Sequence, residues 1–178
     1  MVDLIDAEAG ACGSLMGLDR CNVLDVGCGT GDFAQRLLDR NVAFARYVGV
    51  DAVGEMIEAA NARGMPRCEF TVGDVLSDES ILAAAKPDFV SISGTLNTMK
   101  EETARDLVRR CFEATKHGVA FNFLSNRPDE QWDAKDLGPA HRFDTIRWLD
   151  WSLHLTPRVR FAQDYLDGHD ATIVMRRE

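Results

Sequence analysis

Apolar and polar positions along the chain alternate between two periods. Residues 21–26 form a short apolar run ending in glycines, the pattern of a strand buried on both faces. Residues 33–40 then place Phe33, Ala34, Leu37 and Leu38 at helical spacing. The alternation repeats. Strands are predicted over 46–51, 68–72, 88–93 and 119–124, and helices over 55–62, 81–85 and 101–115. Gly64 and Pro66 close the second helix, Pro87 stops the third, and Lys116-His117-Gly118 ends the fourth.

Beyond residue 124 the pattern changes. Residues 126–143 are polar, contain Pro128, Gly138 and Pro139, and keep no period, so they are expected to form a long connection acting as a lid. A helix is predicted over 145–155. Strands over 158–165 and 172–176 follow, joined by a hairpin-like turn at Asp167-Gly168-His169-Asp170. Five strand–helix units and a terminal β-hairpin imply an α/β fold, with a mostly parallel sheet carrying one antiparallel strand. The chain is read as a single domain, 1–178, in which 1–18 form a short helical segment before the first strand.

Composition narrows the function classes. The chain has 178 residues, 46 % hydrophobic and 28 % charged, ordinary for one globular domain. No apolar run approaches the roughly 20 residues that cross a membrane, and the acidic start Met1-Val2-Asp3-Leu4-Ile5-Asp6 is unlike a signal peptide, so a cytoplasmic protein is expected. A net charge of −9 opposes phosphate backbones and argues against nucleic acid as a partner. Cys12, Cys21, Cys28, Cys68 and Cys111 show no C-x-x-C pair, so reduced thiols and no metal site are expected.

Chemistry concentrates at Asp25-Val26-Gly27-Cys28-Gly29-Thr30-Gly31-Asp32, between a predicted strand and helix, where open α/β sheets hold ligands. A dinucleotide loop needs G-x-G-x-x-G, and here Asp32 stands where the third glycine would be. A carboxylate in the first helical turn satisfies the helix dipole and repels a pyrophosphate. The spacing therefore opposes NAD and suits a ligand without phosphate. Asp51 ends the second strand twenty positions past Gly31, a separation suited to ribose hydroxyls, with a surface helix cap as the plain alternative. Gly73-Asp74-Val75 after the third strand could accept from an exocyclic amine, or be simply a turn.

These segments, with the strand 88–93 followed by Gly94, resemble the ordered motifs of the class I methyltransferases that use S-adenosylmethionine (SAM). The resemblance covers the whole chain in order and spacing. It implies a seven-stranded, mostly parallel Rossmann-like methyltransferase sheet with a C-terminal β-hairpin. It implies that Asp25 and the loop Gly27, Cys28, Gly29, Thr30 and Gly31 wrap the methionine end of SAM. Asp51 and Ala52 would sit at the ribose, Met56 on the adenine, Gly73, Asp74 and Val75 at the adenine edge, and Ser93 and Gly94 under the sulfonium. Asn122-Phe123-Leu124-Ser125, Leu155-Thr156-Pro157-Arg158-Val159 and Asp164-Tyr165 resemble segments of small single-domain bacterial methyltransferases. Many small-molecule enzymes of the class carry a long helical cap, whereas only about eighteen residues precede the first strand here, so closure of the site is expected from 126–143 or from a partner subunit, as in a homodimer.

Methyl transfer from a sulfonium needs alignment and exclusion of water, and a base only if the nucleophile is protonated. Residues just past strands four and five are expected to face a small-molecule acceptor: Ser93, Thr95, Asn97, Ser125 and Asn126. Trp132, Asp164 and Tyr165 are further acceptor candidates, and His141, in the lid, is the candidate base. Asp88 begins its strand and is excluded. The absence of an N-P-P-Y-type tetrapeptide argues against the familiar amide or adenine nitrogen chemistry. The competing functions are a non-catalytic SAM-binding partner subunit, SAM chemistry other than methyl transfer, and an NAD-dependent oxidoreductase.

Overall fold

The computed structural model describes residues 18, 20–132 and 135–177. The helical segment expected over 1–18 lies, apart from Leu18, outside the described residues. Seven strands form one sheet: β1 (Asn22–Val26), β2 (Arg46–Asp51), β3 (Cys68–Val72), β4 (Phe89–Ile92), β5 (Gly118–Leu124), β6 (Val159–Ala162) and β7 (Asp170–Arg176). The order is β3-β2-β1-β4-β5-β7-β6. The first five strands run parallel, and β7 pairs antiparallel with both β5 and β6. The chain reverses its winding direction at β1, whose neighbours are β2 and β4. That leaves a crevice beyond the carboxyl ends of β1 and β4.

Successive strand residues face opposite sides, so each strand feeds two cores. Val23 and Tyr47 pack with Leu37 and Ile57, from α1 (Asp32–Asp39) and α2 (Gly54–Ala62). Leu24, Val90 and Phe121 pack on the other face with Leu82, Leu107 and Trp148. These three belong to α3 (Ser80–Ala85), α4 (Glu101–Ala114) and α5 (Thr145–Leu155). In α4 the buried residues Ala104, Leu107, Val108 and Cys111 recur at i, i+3, i+4 and i+7. No described helix is long and apolar enough to cross a membrane.

Two features depart from the sequence expectation. The sixth strand stops at Ala162, so Asp164 and Tyr165 lie in a longer connection, and the seventh begins at Asp170. Leu166, Asp167 and Gly168 take φ of 48°, 49° and 76°, three consecutive left-handed residues that no strand can carry. The alternation of Phe161, Gln163 and Tyr165 runs on into this turn and imitates a longer strand. Residues 126–143 also leave and return at one point. Ser125 bridges Phe143, Asn126 N–H donates to Phe143 C=O (3.0 Å), and Arg142 donates to the Ser125 carbonyl (2.8 Å). The segment is a pinned loop.

Candidate functional site

The loop between β1 and α1 is tied to the end of the neighbouring strand. The N–H groups of Gly27 and Cys28 both donate to the Val50 carbonyl (2.8 and 3.1 Å), which bends the chain sharply away from the sheet. Gly27 has φ of 73°, and a Cβ there would overlap the Thr95 hydroxyl. Glycine is required on both counts. Gly31, at φ 79°, leaves room for Met65 and Phe70, whose atoms would lie 2.7 and 3.0 Å from an added Cβ. The loop is thus packed from below while its upper face stays open.

That open face is a cleft of about 470 Å³ among whose lining residues are Asp25, Gly27, Gly29, Asp51, Met56 and Ser93. Asp51 stands at its rim with its orientation fixed. Gly29 N–H donates to one carboxylate oxygen and Val53 N–H to the other, each at 2.9 Å. A carboxylate has about four acceptor sites, so the second lone pair of each oxygen remains for a ligand. Beside it Val53, Met56 and Val72 expose 50 %, 43 % and 57 % of their surfaces, an uncovered apolar ledge. Asp32 begins α1 and pairs with Arg63 at 2.6 Å. Hydrogen bonding from Arg63 holds the Asp32 carboxyl below the ordinary value, so the helix N-terminus already carries its anion.

Asp25 forms part of the cleft floor and is 1 % exposed. Tyr47 donates its hydroxyl to one carboxyl oxygen and Ser91 to the other (2.9 Å). Burial raises the carboxyl to about 6, against the lowering effect of those two bonds. Burial and the charge of Asp25 also push the Cys28 thiol well up, so it stays neutral.

The residues present fit SAM. A fixed carboxylate suits a pair of ribose hydroxyls, the apolar ledge suits a flat base, and a helix start occupied by Asp32 suits a ligand with no phosphate. Asp25, Cys28, Gly29, Thr30, Asp51, Met56, Ser93 and Gly94 all border this cleft. Gly73 packs against Ile81, at 2.8 Å from an added Cβ, and Val75 is a buried core residue. Asp74 caps its own turn, accepting from Leu76 N–H (2.9 Å) and Ser77 hydroxyl (2.7 Å). Ala52 is exposed next to Asp51.

A second cleft, of about 360 Å³, adjoins the first and shares Asp32, Phe33, Ser93 and Gly94 with it. Its far wall includes Asn122, Tyr165, Asp170 and Thr172. A chain of hydrogen bonds crosses that wall. Gly94 N–H donates to Asn122 (2.8 Å), Asn122 donates to Asp170 (3.1 Å), and Asp170 faces His169 Nδ1 (2.8 Å).

Of the residues expected at the acceptor, the structure brings Ser93, Thr95 and Tyr165 to the clefts and uses others in the frame. Asn97 is buried, donating to His141 C=O (2.6 Å) and accepting from Leu124 N–H (2.8 Å). The Ser125 hydroxyl is buried against that of Thr145 (2.7 Å), and Asn126 accepts from Thr145 N–H (3.1 Å). The His141 ring is exposed and set edge-on to Phe143, and it lines neither cleft. Trp132 lies edge-on to His169 with ring centroids 4.4 Å apart, and Asp164 is exposed in the β6–β7 connection. No described residue of 126–143 borders either cleft. Asp88 lies at the opposite end of the sheet, where it accepts from Asn22 N–H (2.7 Å).

Arg36, Asn122 and Asp170 are site residues that the sequence did not single out. Helical spacing from Phe33 could have flagged Arg36. Asp170 reaches the site only because antiparallel pairing sets it beside Leu124, at the carboxyl end of β5.

Comparison with known proteins accords with this geometry. Residues 23–118 match the family model described as a methyltransferase domain. A methyltransferase named cpsF from Aspergillus campestris is 29 % identical over 131 residues, which are 70 % of this chain and 46 % of that protein. The chain thus spans about half the length of this curated relative. Among solved structures, magnesium protoporphyrin IX methyltransferase from Synechocystis PCC 6803 with bound S-adenosylhomocysteine (SAH) superposes with a TM-score of 0.72 at 16 % identity. The match covers 99 % of this chain and 82 % of that one. The small RNA methyltransferase HEN1 gives 0.71 at 16 % identity, covering 97 % and 25 %. At such identities the superpositions establish the fold alone.

Proposed function

The chain belongs to the methyltransferase-domain family, and from that premise we propose that it is a SAM-dependent methyltransferase acting on a small-molecule acceptor in the cytoplasm. The observation that carries the reading is the Asp51 carboxylate, fixed by two backbone N–H groups beside an exposed apolar ledge and a phosphate-repelling helix start. Asp51 holds the ribose hydroxyls, Met56 and Val53 cover the base, and the loop from Gly27 to Gly31 follows the amino-acid end. When bound, SAM supplies a methyl group on a sulfonium, whose departure leaves a neutral thioether. The protein's part is alignment and exclusion of water. Ser93 and Gly94 stand at the seam of the two clefts and separate donor from acceptor.

The small-molecule acceptor is supported by the size of the second cleft, at the lower end for pockets that enclose small ligands. It is supported too by the net charge of −9, which disfavours a polyanion. The test is incubation of the purified chain with methyl-labelled SAM and, separately, a metabolite extract and total cellular RNA. Label in low-molecular-weight metabolites with SAH as by-product is the expected result. Label in RNA would contradict the acceptor class. Methylthioadenosine in place of SAH, or no transfer to either extract, would contradict methyl transfer.

A further inference from the structure

The second cleft has a charge asymmetry that the cofactor reading leaves unused. Each of its carboxylates is engaged. Asp32 is paired with Arg63 at 2.6 Å, and Asp170 lies between Asn122 and His169. Arg36, one turn along α1 from Asp32, and Arg40, at the end of that helix, also line the cleft. No carboxylate among the described residues lies within ion-pair distance of Arg36, which touches Asp32 only through its more distant charge. Arg36 is an exposed guanidinium on the wall of this cleft. It stands beside apolar surface, since Phe33 and Tyr165 line the same cleft and Tyr165 is 48 % exposed.

We propose that this cleft receives the methyl acceptor and that the acceptor carries an anionic group, a carboxylate or a phosphate monoester, seated on Arg36, with a flat apolar portion against Phe33 and Tyr165. The inference rests on the methyltransferase reading, because the cleft is an acceptor site only if the adjoining one holds SAM. Guanidinium provides a planar fork of donors that matches either anion, and its charge is retained at every working pH. Aromatic side chains add area and shape to what would otherwise be a bare ion contact. The engaged acids Asp32 and Asp170 flank the seat without neutralising it.

The test is a nuclear magnetic resonance titration of isotope-labelled, SAH-saturated protein with benzoate, phenyl phosphate and the neutral benzyl alcohol. Benzoate or phenyl phosphate should shift the Arg36, Gly94 and Asn122 signals saturably, at least tenfold more tightly than benzyl alcohol. Arg36→Gln should weaken that binding at least tenfold and leave SAH affinity within twofold. Tyr165→Ala, an exposed loop change, should weaken the anions and the alcohol alike. Preference for carboxylate or for phosphate distinguishes the two anions. Equal affinity for the neutral probe, anion binding indifferent to Arg36→Gln, or shifts produced only by a short RNA oligonucleotide would overturn the inference. SAH binding without anion binding removes this inference alone. If SAH leaves the Gly27–Gly31 signals unmoved, the methyltransferase reading falls and the inference falls with it.

Discussion

Asp25 is a fully buried carboxyl on the floor of the first cleft. Its carboxyl is completely buried and titrates near 6, about two units above an unstructured aspartate. A raised carboxyl contributes stability fully below the unfolded value, near pH 4, and loses it as pH rises through about 6. The loss is about 3 kcal/mol for a shift of this size. Asp25→Asn keeps the shape and does not titrate. Urea unfolding of the two proteins at pH 4 and pH 7 should therefore show the Asn variant gaining about 2 kcal/mol relative to wild type between those values. A difference that stays constant with pH would show that Asp25 does not titrate in this window.

At the scale of elements, α5 and the pinned loop are joined to the sheet through aromatic rings. Trp148 is fully buried, stacked on Phe143 at 5.4 Å with 13° between planes, and 5.2 Å from Phe123 on β5. Trp148→Ala should cost about 3–5 kcal/mol in chemical unfolding, the range for deleting a large aromatic from a packed core. A loss below about 1 kcal/mol would mean that the helix is held elsewhere.

The parallel strands were legible in the sequence because β1, β4 and β5 are short apolar runs bounded by turn residues, while β3 alternates around its buried Phe70. The glycine loop and Asp51 were legible for the same reason: their chemistry lies at strand ends. The β6–β7 hairpin was legible as well, but its strand ends were not: the sixth strand stops at Ala162, short of the left-handed residues 166–168, and the seventh begins at Asp170. With the seventh strand expected from Thr172, Asp170 was read as a turn residue and not assigned to the site. Asn97 and Ser125 illustrate the complementary error. Both follow a strand end, as an acceptor-facing residue should, yet their polar groups satisfy buried partners that only the folded chain supplies.

At the scale of the whole molecule, the order β3-β2-β1-β4-β5-β7-β6 sets the winding reversal at β1 and brings two clefts together over Ser93 and Gly94. In the proposed function, Asp51 and Asp32 at the first cleft select a nucleoside without phosphate. That selection separates this account from a dinucleotide enzyme of similar topology. The most direct test is calorimetric titration of the purified chain with SAM, SAH and NADH, repeated on Asp51→Ala. The account predicts saturable one-to-one binding of SAM and SAH and no heat from NADH. It also predicts that Asp51→Ala loses about 1–3 kcal/mol of SAM affinity, the worth of a charge-assisted acceptor. NADH binding in place of SAM, or unchanged SAM affinity in a folded Asp51→Ala protein, would contradict it.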